Sequence, residues 1–422
     1  MSGRGARGHD SVEQLVAAGA ALLGEQGLGG VTVRAVAARG GFASPTVQHH
    51  FPTKEALLQA VYSDALQREP RWFADYDALP AEAPASVDAA LALLRHVLAW
   101  NCGGGAAITA ARNAALLGVA RSRGPYAPAR RWLRWRRQQL GNVLRGVTPQ
   151  WRSGARFLAE LLTGIELMSM GCREFPPLPQ LNEEVLRYGL RAVLGDRESS
   201  CSALFEQCVS SVLRRDEDEQ AAAPRVLKEG SVRQRVLQAG AKILAERGAL
   251  ELTHRSIAAE AGVAVSQVSY HFRTISELVY GVYRFVHDER ASFTFRLEQQ
   301  RQSGGDLTTL GLFDLRIGDA PAYIASLEAI IASAHDPALR EIAWKTRMMR
   351  GVYYFYRPGR GEPLDPAVFA VHVFSIWIAG ATLLGEACWK EARVLELLHW
   401  RLQEVGALFP WSLATLPPFV HD

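Results

Sequence analysis

Lysine is nearly absent from this sequence: five residues stand against 42 arginines in 422. Coding bias accounts for such a skew as readily as chemistry does, and nothing further rests on it. Cysteine is scarce too. The five present (Cys102, Cys172, Cys201, Cys208 and Cys388) are odd in number and scattered, with no Cys-x-x-Cys pair. Neither a disulfide framework nor a metal site is expected, and the thiols read as small buried side chains. No uninterrupted apolar run nears the roughly 18 residues of a membrane span, so no membrane partner is expected. The start, Met1 to Asp10, is polar and glycine-rich with no apolar stretch behind it. It does not read as a secretory signal, and a cytoplasmic location is expected. Catalytic signatures are missing as well: there is no Gly-x-Ser-x-Gly, His-Glu-x-x-His or phosphate-binding glycine loop. Glu166 and Glu174 are lone carboxylates, and His335-Asp336 before Pro337 reads as a turn with a helix cap. An enzyme is not expected, and no cofactor is implied.

What remains is an ordinary globular composition, 48% hydrophobic and 21% charged, with a net charge of +4. At about 100–200 residues per domain, the length allows two to four domains. The small positive charge permits a nucleic-acid partner without demanding one, since a modest total can hide a basic face.

The informative feature is a repeat. Residues 12–62 align with 233–283 at a constant offset of 221, and 19 of 51 positions are identical. The matches include Gly27 with Gly248, Thr32 with Thr253, Arg34 with Arg255, Gly41 with Gly262, and His50-Phe51 with His271-Phe272. The chain is therefore two copies of one architecture, each about 200 residues long. Between them, Asp216 to Gly230 is charged, proline-containing and poor in apolar residues, and reads as a linker or a helix fraying into one,.

Within each repeat, Leu15, Val16, Gly19, Leu22 and Leu23, echoed by Val236, Leu237, Gly240, Ile243 and Leu244, form one stripe of an amphipathic helix,. Glycine in the middle of the stripe points to a second helix passing close, and Gly27 and Gly248 suit a left-handed C-cap. Thr32 and Thr253 are placed to cap a short second helix. A capping box is not expected, because Ala35 and Ser256 hold its third position,. Gly41 and Gly262 then give a tight turn into third helices over 44–50 and 265–271, with Val47 or Val268 inward. Thr53 and Thr274 open a long fourth helix in each copy. Two short helices joined by a glycine turn make a helix-turn-helix, whose second helix has the dimensions of a major groove. The residues facing outward from it are Ser44, Thr46, Gln48 and His49 in one copy, and Ser266, Gln267, Ser269 and Tyr270 in the other. Gln48 and Gln267 alone carry the amide that reads adenine. Arg34, Arg255 and Lys54 are better placed for phosphates. His50 and His271 read as hydrogen-bonded structural residues.

These segments resemble the TetR family of transcriptional regulators. The resemblance rests on Thr32 through Phe42 and His49-His50-Phe51-Pro52-Thr53-Lys54-Glu55, and again on Thr253 through Val263 and Tyr270-His271-Phe272. It covers about 50 residues per copy. There are departures. Alanine (Ala43, Ala264) replaces the family's serine cap, Gln48 and Ser269 replace its phosphate-contacting tyrosine, and Ile275 replaces the lysine that opens the fourth helix. The two third helices share no outward residue, so a perfectly palindromic site is not expected.

The rest of the chain reads as helices over 54–72, 86–102, 105–120, 127–145, 149–171, 181–195 and 199–215, and then 276–300, 321–334, 336–356, 366–387 and 391–408. The resemblance implies an all-α fold of two tandem units. The expected parts are an arm (1–9), a DNA-binding head (10–53), a helical regulatory bundle (54–215), a linker (216–230), a second head (231–274), a second bundle (275–410) and a tail (411–422). It also implies that the last helix pair of each bundle dimerises, so that one chain packs as an intramolecular pseudo-dimer. A chain-to-chain dimer with four heads stays open. Pocket residues for a small-molecule effector are Trp100, Asn101 and Asn113 in the first bundle and Trp344, Tyr353, Phe374 and Trp377 in the second, with ordinary core packing an equal reading,. Between Arg112 and Arg156 lie eleven arginines and no acid, for which an internal or interface role is favoured. The functional reading is a one-component transcriptional regulator that binds a double-stranded DNA operator, a repressor released by an unidentified small-molecule effector. The alternative is a helical ligand-sensing or partner-binding protein whose second head no longer reads DNA.

Overall fold

A computed structural model describes residues 3–75, 83–121, 127–196, 200–222, 230–302, 320–352, 364 and 367–389. All its regular structure is helical. The first head comprises α1 (Gly3–Gln26), α2 (Val33–Gly40) and α3 (Ser44–His50). Helix α1 starts at Gly3 and so includes most of the segment expected as an arm. Its stripe of Leu15, Leu22 and Leu23 is buried. At Gly19 it meets α4 (Lys54–Asp75) so closely that a Cβ there would overlap Val61. Thr32 Oγ1 caps α2 by accepting from Ala35 N at 3.1 Å. Gly41 (φ 75°) ends that helix in the left-handed region, which lets the chain turn at once into α3,.

The second head repeats the design with α11 (Val232–Glu246), α12 (His254–Ala261), α13 (Val265–His271) and α14 (Ile275–Gln302). Gly240 lies against Val282 as Gly19 does against Val61, and Gly262 (φ 63°) makes the turn. One expectation fails here. A capping box is present, because Ser256 Oγ accepts from Thr253 N at 3.0 Å while Thr253 Oγ1 accepts from Ser256 N at 3.0 Å. Serine's hydroxyl does what a longer Glu or Gln does in the usual box. Gly27 and Gly248 do have positive φ (71° and 93°), but with ψ near 180° rather than in the left-handed helical well.

The first bundle is α4 with α5 (Val87–Cys102), α6 (Ala106–Arg121), α7 (Ala127–Leu144), α8 (Trp151–Ser169), α9 (Leu178–Val193) and α10 (Ala203–Ala222). Helix α10 runs seven residues into the expected linker; its Asp, Glu, Gln and Ala residues carry no Gly or Pro to stop it before Ala222,. The second bundle holds α14, α15 (Ala320–Ala332), α16 (Arg340–Met348) and α17 (Ala367–Cys388). Helix α16 is shorter than expected. Pro337–Leu339 forms a separate 3-10 turn before it, and Gly351 (φ 78°) lies beyond its end, packed against the carbonyl of Val371. The helix expected over 391–408 lies outside the described residues.

The two bundles meet along α8 and α17. Gly164 of α8 lies on the Ile376 carbonyl, and Gly380 of α17 lies on the Glu160 carbonyl, so the helices touch backbone to backbone. By length and composition α17 could cross a membrane, contrary to the expectation that no segment would come near doing so. Its apolar window is entirely buried, because protein surrounds it where a one-sided helix would need polar residues. One continuous apolar core links the first head with both bundles, while the second head closes around a core of its own that takes Ala325 and Leu339 from the second bundle.

Candidate nucleic-acid interface

Each helix-turn-helix holds its third helix by a buried valine (Val47 or Val268) and a buried phenylalanine (Phe51 or Phe272). The opposite face is open in both heads. Gln48 and His49 are exposed in α3, whereas Ser44 and Thr46, expected to face outward, are half-buried. Pro45, which the sequence reading passed over, is exposed between them. In α13, Ser266, Gln267, Ser269 and Tyr270 are all exposed, Tyr270 at 81%. Arg34, Arg255 and Lys54 are exposed at or beside the starts of α2, α12 and α4.

Gln267 needs correction as a free reader of bases. Its Oε1 accepts from Ala264 N at 3.1 Å, because a side chain at the third position of a helix reaches back over the N-cap,. Bidentate recognition of adenine uses both the carbonyl and the amino group, and in α13 only the amino group is left over. The imidazoles of His50 and His271 likewise make no hydrogen bond among the described residues. They touch the rings of His49 and Tyr270 edge-on at 5.2 and 5.3 Å. The structural imidazole is His254, whose Nε2 lies 2.8 Å from the Phe272 carbonyl oxygen.

Both heads clasp their first two helices with an ion pair, but with the charges redistributed. Arg39 of α2 donates both guanidinium ends to Glu25 of α1 at 2.8 and 2.6 Å. That hydrogen bonding holds the Glu25 carboxyl below its ordinary value. At the position equivalent to Arg39, the second head has Glu260, which accepts from Lys242 at 2.6 Å and Arg247 at 2.5 Å.

The heads are tied to the bundles crosswise. Arg121, at the end of α6, donates to the carbonyls of Leu244 (2.8 Å) and Ala245 (3.2 Å) on the second head and pairs with Glu328 of α15. Glu328 also accepts from Ala249 N at 2.7 Å. Burial pushes the Glu328 carboxyl up, against the pull of Arg121 and that N–H. In the other direction, His335 beyond α15 places Nδ1 3.1 Å from the Glu25 carbonyl at the end of α1. Sequence inspection missed both contacts. Arg121 was visible only as one member of an acid-free arginine run.

Around Asn101 and Asn113 the interior of the first bundle is an ion network. Arg112 donates to Glu69 (2.8 Å) and Glu166 (2.6 Å), and Arg136 to the same pair at 3.0 and 2.6 Å. Trp132 lies under both guanidiniums at 5.1 and 5.3 Å and donates Nε1 to Glu69 at 2.9 Å. Burial would raise the Glu69 carboxyl, yet Arg112 and Arg136 hold it below its ordinary value. Asn101 and Asn113, expected on a pocket wall, are fully buried in this network: Asn101 donates to Glu166 at 2.5 Å, and Asn113 accepts from Arg112 at 3.3 and 3.2 Å. Trp100 stacks on Trp72 at 3.8 Å. Of the second bundle's candidates, Phe374 and Trp377 are core, while Trp344 also lines a small cavity with Tyr280, His287 and Ile342. Trp344 stacks on Phe175 of the first half at 4.6 Å, and Phe374 stacks on Trp377 at 5.3 Å. Trp377 donates Nε1 to Glu160 across the α8–α17 contact at 2.9 Å. Tyr353 lies outside the described residues. Other members of the arginine run serve the join between halves: Arg130 donates to the Cys388 carbonyl at 2.7 Å, and Arg137 pairs with Glu160 at 3.5 Å.

Residues 15–61 and 236–280 both match the family model described as bacterial regulatory proteins, tetR family. No curated protein matches the chain. The two matches fall on the two heads, in tandem within one chain.

Proposed function

We propose that this tandem member of the TetR family of DNA-binding transcriptional regulators, not an enzyme, is a one-component cytoplasmic repressor whose two heads grip one duplex as an intramolecular pseudo-dimer. The observation that carries the reading is the pair of open third-helix faces, unlike in every outward residue, on halves that share one buried core. Heads of this kind reach successive major grooves about 34–36 Å apart on one face of the duplex. Their unlike faces favour an asymmetric or imperfectly palindromic operator. Arg34, Arg255 and Lys54 would bind phosphates and set the register, while Gln48 and His49 would read bases. An effector that prefers an arrangement with the heads splayed would shift the population off DNA in proportion to its differential affinity.

A second reading is favoured by the bond between Gln267 and Ala264 N. In it, the second head contributes phosphate contacts or protein contacts and little sequence information. Selection of bound fragments from genomic DNA, with the number of chains per recovered site measured, separates the two. One chain per site, with two unlike half-sites, supports the pseudo-dimer. A single half-site supports the second reading, and two chains per site overturns the pseudo-dimer.

A further inference from the structure

The molecule has two sets of buried arginines, and they are built differently. Arg112 and Arg136 face two carboxylates, Glu69 and Glu166. Arg347, on α16, is completely buried but pairs with no carboxylate among the described residues. Its Nη2 donates to Asn182 Oδ1 of α9 at 2.5 Å, while Nε and Nη1 have no acceptor among the described residues. The thiols and imidazole around it are neutral, and Arg350 beside it adds a second positive charge. Burial pushes the Cys172 and Cys102 thiols up to about 12 and about 11, and pushes His372 down to about 3. Burial also draws Arg347 down, to about 10, which leaves it charged at neutral pH. The neighbouring Arg350 is buried as well, and donates to neutral groups: the Ser375 carbonyl at 3.3 Å and the Tyr323 hydroxyl at 2.8 Å. A buried cation without a counter-charge is among the costliest arrangements a protein can keep.

Asn182 connects this cation to a groove. With Leu98, Ala99, Leu178, Cys102 and Arg173 it lines a cavity of about 1120 Å³ between α5 and α9. Arg173 donates to the Ala106 carbonyl at 3.2 Å, but its Nε has no acceptor among the described residues. The groove therefore offers an apolar floor beside the Arg173 guanidinium and a mixed rim where Arg95 and Arg187 pair with Glu183 and Glu184 adds a second carboxylate. Arg347 lies behind the Asn182 amide, whose Nδ2 donates to Ser169 Oγ at 2.9 Å.

We propose that the α5–α9 groove binds a small organic carboxylate, its tail along Leu98, Ala99 and Leu178 and its acid group held by Arg173 and, with Asn182 turned aside, by Arg347. Naming this molecule as the effector rests on the regulator reading; the site itself does not. Asn182 and Arg173 belong to the first half and Arg347 to the second, so the acid group bridges the halves. Binding there changes how they sit on one another, and with that the spacing of the heads.

The test uses the full chain and a series of straight-chain carboxylates from acetate to decanoate, each compared with its alcohol, read by thermal denaturation and by release of a selected DNA fragment. The longer carboxylates should raise Tm by several degrees and release DNA, the alcohols should do neither, and Arg347→Met should weaken the carboxylate response about tenfold or more, as loss of a charged hydrogen bond does. If Arg347→Met does not fold, Arg173→Met at the half-exposed wall reads the same loss. Equal responses to acids and alcohols, no response to any acid, or an undiminished response in the variants overturns the proposal. Normal DNA binding without a carboxylate response sinks this site alone. A carboxylate-specific Tm shift in a chain that selects no DNA sinks the regulator reading and leaves the site standing.

Discussion

The two heads repeat each other residue for residue at their structural points and differ at almost every point of contact with the rest of the world. Both use a glycine to let the first and fourth helices touch, a threonine to start the second helix and a left-handed glycine to turn into the third. Yet the first head is continuous with the core of the bundles, while the second has its own core and is fastened by Arg121 and Glu328. Even the clasp between their first two helices is made with arginine on one side and glutamate on the other at the same repeat position. What is shared is what the fold needs. What differs is free to drift once both copies lie in one chain and no symmetry forces them to match.

The largest test of that contrast is Arg121→Met. It leaves Glu328 buried without its cation, a change that costs about 3–5 kcal/mol in comparable buried pairs. Hydrogen exchange should report the loss in α11 to α13 and spare α1 to α3; uniform loss would mean that the second head is no separate unit. The same link gives a pH dependence. Glu328 titrates above its ordinary value in the folded chain, so folding binds a proton,. Its contribution therefore grows as pH falls towards the ordinary carboxylate value and is lost as pH rises through the raised one. Opposite behaviour of second-head exchange in that window would contradict the burial of Glu328.

Next in size are Gly19→Ala and Gly240→Ala, which push a methyl into Val61 and Val282 respectively. Overpacking of this kind costs about 1–3 kcal/mol. The first should lower the main unfolding transition seen by calorimetry, and the second only a smaller transition belonging to its own head. Gln48→Ala should cost about 1–3 kcal/mol of discrimination at its base pair, whereas Gln267→Ala should mainly weaken the start of α13. Competition binding with single-base operator variants reads the difference, and equal losses would restore Gln267 as a reader. Smallest is the phosphate term. Lys54→Ala should reduce the slope of log K against log salt by about one, and Ile275→Lys should raise it by about one if the second head lies on the duplex.

The heads were legible in the sequence because their determinants are local. Thr32, Gly41, Val47 and their partners 221 positions on act within a few residues of themselves, and a repeat displays such signals twice. The interior was illegible for the opposite reason. Glu69, Arg112, Arg136 and Glu166 sit on four different helices, and nothing in a run of arginines says which distant carboxylates will meet it. For the aromatics, pocket wall and core packing stayed equal readings, because a filled core and a lined cavity ask for the same residues; for Trp377 the packing on Phe374 and Glu160 decides for the core. Gln267 was misplaced by a single rotamer, which spacing does not encode.

The seam between α8 and α17 has one more implication. In a symmetric pair an identical patch faces itself. Here the glycines keep that reciprocity, each resting on the carbonyl four residues before the other, but a tryptophan from one side meets a glutamate from the other. Were the chain cut between its halves, two first halves meeting through α8 would bring one Glu160 against another with no indole between them. At this joint the two halves are complementary in their side chains, the indole of one answering the carboxylate of the other.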